Sequence, residues 1–476
     1  MAGHRKGEMM YVTKYLNSFD LDDRHVLLVN GLSGAVDIVE RDDFQLLDDP
    51  DALATRSDKS DLVDQLRRRA YLFDDVQGEQ QAFGAIQTVY QRLLDSQSYK
   101  FTFVFNPTYM CNFACPYCFE SEEMHTTRKV MTPEQVDLCW DAMHQIMEMR
   151  GKGKINTFKG KKGLELFGGE PFLPVARPAL KRLFARAEEE GFKIEAITNG
   201  YALHRSKDLI ERYRELFDHF QITLDGPRDI HDSRRKLLGG GRTFDRIVKN
   251  IDMLMDLDIT VAVRMNTDGQ NIDNLPEMIR FFAEKEWLDS GKFYWDIAPV
   301  TDHPNSGDVP HIMSEHQIVQ KVRTMFGDLK HSPTNFRMFR VLKHVLRAFE
   351  IYRDDNEEPF PSGHYCEANV FQFYCFGPDG LIYACPESID HPDLAVGGFD
   401  PEFWIDHEKL QTWGRTIFNS PQCKDCSVAM FCGGGCAFAS KLSHPDTGLP
   451  VCDDAPQVLA AYIDSIKDYI LDQHCN

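Results

Sequence analysis

The sequence predicts an α/β protein whose centre is a parallel sheet with helices outside it. Two observations carry this expectation. Between Tyr99 and Ile297, short aromatic and β-branched runs alternate with longer segments of helical apolar spacing. After residue 361 the chain turns Cys-, Gly- and Pro-rich, and periodicity fades. Such a segment lacks the apolar surface for a core of its own and depends on metal.

Residues 9–95 read as a small α+β unit. His25-Val-Leu-Leu-Val-Asn-Gly31 and Gly34-Ala-Val-Asp-Ile-Val39 are β-type runs joined through Asn30-Gly31, a hairpin signal. Leu62–Leu72 and Gln80–Leu94 have helical spacing, and the acidic stretch Asp48–Asp61 reads as a linker. Candidate strands then follow at Phe101–Phe105, Gly163–Phe167, Lys193–Thr198, Phe220–Leu224, Ile259–Met265 and Phe293–Ile297. Helices are expected to begin near Pro133, Ala176, Ser206, Thr243 and Asn274. Six such units are fewer than the eight of a closed barrel. Residues 303–360 read as a mostly helical bridge without motifs, and 456–471 as a closing helix. The expected division is 1–96, 97–302, 303–360, 361–455 and 456–476.

Composition narrows the function classes. A net charge of −21 argues against nucleic acid, because phosphate binding needs a basic footprint. No stretch approaches the ~20 apolar residues of a membrane span. Met1-Ala-Gly-His-Arg-Lys6 leads into no apolar signal core, so a cytoplasmic location is expected. Thirteen cysteines in a reducing compartment point to metal or catalysis rather than disulfides.

Cys111, Cys115 and Cys118 form C-x₃-C-x-Φ-C, with Tyr117 as the aromatic. A zinc site would show paired units closed to four ligands, and only His125 follows at close spacing. Three thiolates bind three irons of a 4Fe–4S cube and leave the fourth open. Gly168-Gly169-Glu170-Pro171 follows the second strand; its glycines let backbone approach a ligand, and its carboxylate can bond an amine. Asn199 and Thr223 stand at the ends of the third and fourth strands, where parallel βα folds place ligands, although Asn-Gly and Asp-Gly-Pro also make ordinary turns.

Together these motifs resemble the radical S-adenosylmethionine (SAM) superfamily. The resemblance implies a partial (β/α)6 TIM-type barrel and a 4Fe–4S cluster on Cys111, Cys115 and Cys118. It also implies SAM bound by Tyr117, Gly168, Gly169, Glu170, Asn199 and Thr223. A partner for the SAM carboxylate is expected among Arg234, Arg235, Arg242 and Arg264.

The later cysteines run Cys366-x₁₃-Gly380-x₄-Cys385, Cys423-x₂-Cys426-x₅-Cys432-x₃-Cys436 and then Cys452. This order resembles the SPASM extension of radical SAM enzymes. The resemblance implies two auxiliary clusters, so three 4Fe–4S clusters in all. One would use Cys366, Cys385 and Cys436; the other would use Cys423, Cys426, Cys432 and Cys452. Cys375 is expected to close the first. Cys139 and Cys475 are left over, one as a buried apolar residue and one beside the C-terminus.

Enzymes with this pair of regions mostly modify peptides or proteins, so a peptide maturase forming a thioether or carbon–carbon cross-link is expected. The N-terminal unit resembles the leader-recognition domains of such maturases. A reductant such as ferredoxin or flavodoxin is implied. The anaerobic sulfatase-maturating enzymes are the rival; they place Asp directly after the cysteine equivalent to Cys385, where this chain has Pro386 and then Glu387. Glu387 is the candidate base. An Fe–S electron carrier or peptide-binding scaffold is the non-enzymatic alternative. Tyr374 and Tyr383 either line the site or pack beneath the clusters.

Overall fold

A computed structural model describes residues 10–95, 100–150, 154–155, 157–158, 161–302, 309–327, 339, 341, 363–389, 391–445, 449–452 and 454–474. The six strands form as Lys100–Phe105, Lys161–Leu166, Lys193–Thr198, Phe217–Thr223, Thr260–Thr267 and Phe293–Pro299. They lie in chain order, and every neighbouring pair is parallel. Parallel neighbours in chain order require a crossover in each connection, which gives a barrel wall with helices outside.

Local chemistry sets the helices. Pro133–Met149 begins at a capping box in which Thr132 and Gln135 satisfy each other's backbone N–H groups. Arg177–Glu190 ends where Gly191 adopts φ 72°, a left-handed stop. Alternate strand residues, among them Phe103, Phe105, Leu164, Ile194 and Ile222, are buried in the main core with Trp140 and Met143. The Phe105 and Trp140 rings lie 5.2 Å apart, and burying one such side chain contributes about 1.5–3 kcal/mol. The intervening residues face the other way, so Glu165, Glu195 and His219 stand in register across three adjacent strands.

The N-terminal unit differs from expectation in three places. Leu16–Asp20 adds a third strand to the hairpin of His25–Asn30 and Val36–Glu40. The stretch expected as a linker is mostly helical: Asp49 caps Pro50–Thr55, and Leu53, Val63 and Leu66 are buried in the unit's own core. Asp and Pro read as breakers by composition, yet at N-cap and N1 they start helices. The helix expected through Leu72 ends at Arg68, and Leu72–Phe73 pairs with Tyr11–Val12.

The auxiliary segment is also less independent than its composition suggests. Phe373–Phe376 adds in parallel to the first barrel strand, and Leu381–Tyr383 pairs antiparallel with it. The segment thus borrows a finished sheet edge, which supplies backbone partners its own sequence lacks. Of the expected bridge, 309–327, 339 and 341 are described, and the rest of that expectation lies outside the described residues. Within it, Glu315–Phe326 packs on the C-terminal helix Ala455–His474. Among the described residues no helix is long and apolar enough to cross a membrane.

Candidate active site

The C-terminal ends of five barrel strands converge on one loop. That loop leaves the first strand at Phe105 and carries Cys111, Cys115 and Cys118. Its middle, Phe113–Ala114, pairs antiparallel with Lys236–Leu237, a segment beyond the fourth strand. The loop is therefore held on both sides of the barrel mouth.

The glycines of the second strand end fix its start. Gly169 N–H donates to the Thr108 carbonyl at 3.2 Å, and Glu170 N–H to that of Met110 at 2.8 Å. A Cβ on Gly169 would sit 2.5 Å from the carbonyl oxygens of Tyr109 and Met110. Only glycine permits this approach. Gly168 adopts φ 122°, and a Cβ there would sit 2.8 Å from the Thr108 carbonyl oxygen.

Glu170 is fully buried. Its carboxylate accepts from Thr198 Oγ1 at 2.7 Å, from the Asn199 N–H at 2.7 Å and from the Phe172 N–H at 3.0 Å. Burial pushes this carboxyl up from its ordinary value, and the three donors oppose that shift. Glu170 thus organises the third strand end directly. Asn199 Nδ2 donates to Asn112 Oδ1 at 2.9 Å and lies 3.9 Å from Cys111 Sγ. Thr223 ends the fourth strand in register with Arg264.

Tyr117 ties the loop to the far wall. Its hydroxyl donates to Asp225 and accepts from Arg235 Nη1 at 2.7 Å. Asp225 is fully buried and also accepts from the Asn266 N–H at 3.1 Å. The four candidate arginines divide clearly. Arg234 gives Nη1 to both Asp268 oxygens at 2.8 Å, and Arg242 is exposed. Arg235 also lies over the Phe113 ring, 5.5 Å from its centroid. Arg264 donates Nε to Asn266 Oδ1 at 2.9 Å; burial lowers its pKa, while Glu387, Tyr117, Asp225 and Asp296 raise it.

The thiols fit an iron site. Desolvation raises Cys111, Cys115 and Cys118, and Cys115 is within electrostatic reach of both others. Raised thiols release protons when a metal binds them. Two further sets gather in the auxiliary segment. The Cys385 thiol is raised by burial and by Glu387, Cys436, Cys366 and Cys375 around it. Desolvation lowers the Arg415 guanidinium, and nearby Cys423, Cys436, Cys432 and Cys452 raise it. Cys426 feels Cys423. Cys436 is common to both groupings, within electrostatic reach of Cys385 and of Arg415. Cys139 is fully buried in its helix, and Cys475 lies outside the described residues.

Glu387 is within electrostatic reach of both Cys385 and Arg264. The two tyrosines pack. Tyr374 stacks on Phe103 on the helix side of the sheet, and Tyr383 donates to Asp379 at 2.8 Å. Sequence reasoning missed two groups. Glu120 accepts from or shares a proton with His125 Nε2 at 2.8 Å, and one ligand atom from each of these and Cys118 falls within 4.8 Å. In the row of Glu165, Glu195 and His219, the two glutamates were signalled by a polar residue set between apolar neighbours, as Leu164-Glu165-Leu166 and Ile194-Glu195-Ala196.

Residues 105–282 match the Radical SAM superfamily. The chain carries a radical SAM domain. Its homologues and neighbours agree. A serine-type anaerobic sulfatase-maturating enzyme of Bacteroides thetaiotaomicron is 23% identical over 397 residues, 76% of this chain and 90% of that protein. The Fe-coproporphyrin III synthase of Methanosarcina barkeri is 24% identical over 187 residues; that match spans 38% of this chain and only 41% of the synthase. The solved structure of anSMEcpe with bound AdoMet superposes with a TM-score of 0.58 at 15% identity, over 79% of this chain and 98% of that one. The partial-barrel fold is thus shared, and the radical SAM domain with its enzymatic homologues makes the protein an enzyme. Radical SAM domains use a 4Fe–4S cluster and SAM, and the electron-carrier alternative is set aside.

Proposed function

We propose that this enzyme modifies a residue of a peptide or protein through a SAM-derived radical, forming a thioether or carbon–carbon cross-link. The observation that carries this reading is the gathering of Cys366, Cys375, Cys385 and Cys436 in the segment whose strand Phe373–Phe376 joins the first barrel strand, with Glu387 within electrostatic reach of both Cys385 and Arg264. A second redox site next to the mouth suits a reaction that must remove an electron from its substrate. When bound, the clusters and SAM supply reductive SAM cleavage to a 5′-deoxyadenosyl radical and the later electron transfer.

The chain's own residues divide the remaining work. Cys111, Cys115 and Cys118 hold the catalytic cluster. Gly168, Gly169, Glu170, Asn199, Thr223 and Tyr117 shape the SAM site. Arg235 and Arg264 are the arginines placed to meet the SAM carboxylate, since Arg234 is engaged by Asp268 and Arg242 is exposed. Cys366, Cys375, Cys385 and Cys436 hold one auxiliary cluster, and Cys423, Cys426, Cys432 and Cys452 the other. Glu387 accepts the proton that a substrate thiol loses when a sulfur–carbon bond forms.

Two named proteins support a peptide or protein substrate: the sulfatase-maturating relative, and anSMEcpe, solved with a Kp18Cys peptide. The N-terminal unit suits leader recognition, because Val36–Glu40 is an edge of its sheet and strand addition there would fix a leader. A flavodoxin or ferredoxin supplies electrons. Formylglycine formation is the second reading, favoured by the length of the match to the sulfatase-maturating enzyme.

Anaerobic reconstitution tests the proposal. About twelve irons per chain are expected, with 5′-deoxyadenosine formed from SAM and dithionite. Cys115→Ala is expected to abolish deoxyadenosine and keep the auxiliary iron. Full cleavage by that variant would sink the assignment, and about four irons in the wild-type protein would remove the auxiliary clusters.

A further inference from the structure

The N-terminal unit does not hang from a linker. It sits on the loop that contains Cys423, Cys426 and Cys432. Ser427, next to Cys426, donates Oγ to Asn17 Oδ1 at 2.7 Å, and Asn17 Nδ2 returns a bond to the Ser427 carbonyl at 3.2 Å. Tyr15 OH donates to the Lys424 carbonyl at 2.6 Å. Gly31, in the hairpin turn, packs so closely that a Cβ there would lie 1.8 Å from the Ser427 carbonyl oxygen.

An apolar seam runs beneath these bonds. Tyr15 and Leu32 share a buried cluster with Met430, Phe418 and Cys423 itself. Phe83 bridges the seam, stacked 6.0 Å from Tyr15 and edge-on 5.4 Å from Phe418. The platform has little shape of its own. Its helices, Pro421–Lys424 and Ala429–Cys432, are four residues each, far below the length at which a helix holds itself. The form of this loop therefore depends on what its thiols bind and on what packs against it.

We propose that the second auxiliary site serves to seat the N-terminal unit: iron held by Cys423, Cys426, Cys432 and Cys452 fixes the platform, and the platform fixes the unit. This rests on the reading that these four cysteines hold a cluster. Coupling of this kind is reciprocal, so the seated unit protects that cluster by the factor with which the cluster favours seating. Beyond this platform the unit also meets the chain beside the first auxiliary site, where the Tyr90 hydroxyl hydrogen-bonds His364 Nδ1 just before Cys366.

Gly31→Ala in the reconstituted full-length protein tests the proposal. The φ of Gly31 is one that alanine adopts, so the added methyl acts at the contact alone. The variant is expected to release one cluster's iron to bathophenanthroline on the order of ten-fold faster than wild type, with the remaining iron unchanged. Equal release rates in the two proteins would overturn the proposal. The reverse arm uses Cys426→Ala and hydrogen exchange. Amides of residues 14–17 and 31–32 are expected to exchange faster while the barrel strands keep their protection. Unchanged exchange despite lowered iron overturns the seating role. An unchanged iron count in Cys426→Ala instead overturns the cluster reading beneath it.

Discussion

The backbone N–H of Asn199 donates to the buried carboxylate of Glu170 at 2.7 Å, locking the third strand end to the second. Glu170→Gln puts an amide donor where three donors already converge. One of them then loses its acceptor, which costs about 1–3 kcal/mol. Thermal unfolding is expected to show that loss, and calorimetry is expected to show weaker SAM binding. A variant as stable as wild type would mean that the carboxylate does not hold this strand end.

Gly169→Ala should act on the cysteine loop rather than on the barrel. Its methyl meets the carbonyl oxygens of Tyr109 and Met110 at 2.5 Å, so the loop start must shift. Far-ultraviolet dichroism is expected to stay near wild type. Deoxyadenosine formation is expected to fall by about 10²-fold or more, as misplacements of this size do.

Cys375→Ala separates ligation from packing. Cys375 is fully buried and in register with Val104 on one side and Tyr383 on the other. As a small apolar residue it can be replaced by alanine with a change of about 1 kcal/mol or less in iron-free stability. The electron paramagnetic resonance signal of one cluster is expected to change while the other two stay as they were. Three unaltered signals would remove Cys375 from the ligand set.

His219 should make the barrel sensitive to pH. Burial alone would lower its pKa, but bonds to Asp218 at 2.9 Å and Glu195 at 3.2 Å outweigh it and bring the imidazole up to about 9. Its folded pKa lies above the ordinary value, so its stabilisation is complete below about pH 6.5 and is lost as pH rises through about 9. The contribution is at most about 3 kcal/mol. Denaturant titrations at pH 6 and pH 9.5 are expected to differ less in His219→Gln than in wild type.

The sequence by itself determined the barrel and the kind of centre it carries. Strand and helix periods are local properties, so Lys193–Thr198 and Pro133–Met149 were legible from alternation and capping alone. The cysteine spacings were equally explicit, because ligands on one short loop must follow one another closely in the chain. Where local signals conflict, sequence failed: Asp49-Pro50 reads as a breaker and begins a helix. Only the tertiary structure decided what depends on distant partners. It gave Phe373–Phe376 to the first barrel strand, brought Glu387 within electrostatic reach of Arg264, and seated Gly31 on Ser427. Each of these relationships joins residues more than a hundred positions apart. No local period or spacing encodes them, because they arise only when completed surfaces meet and bury one another.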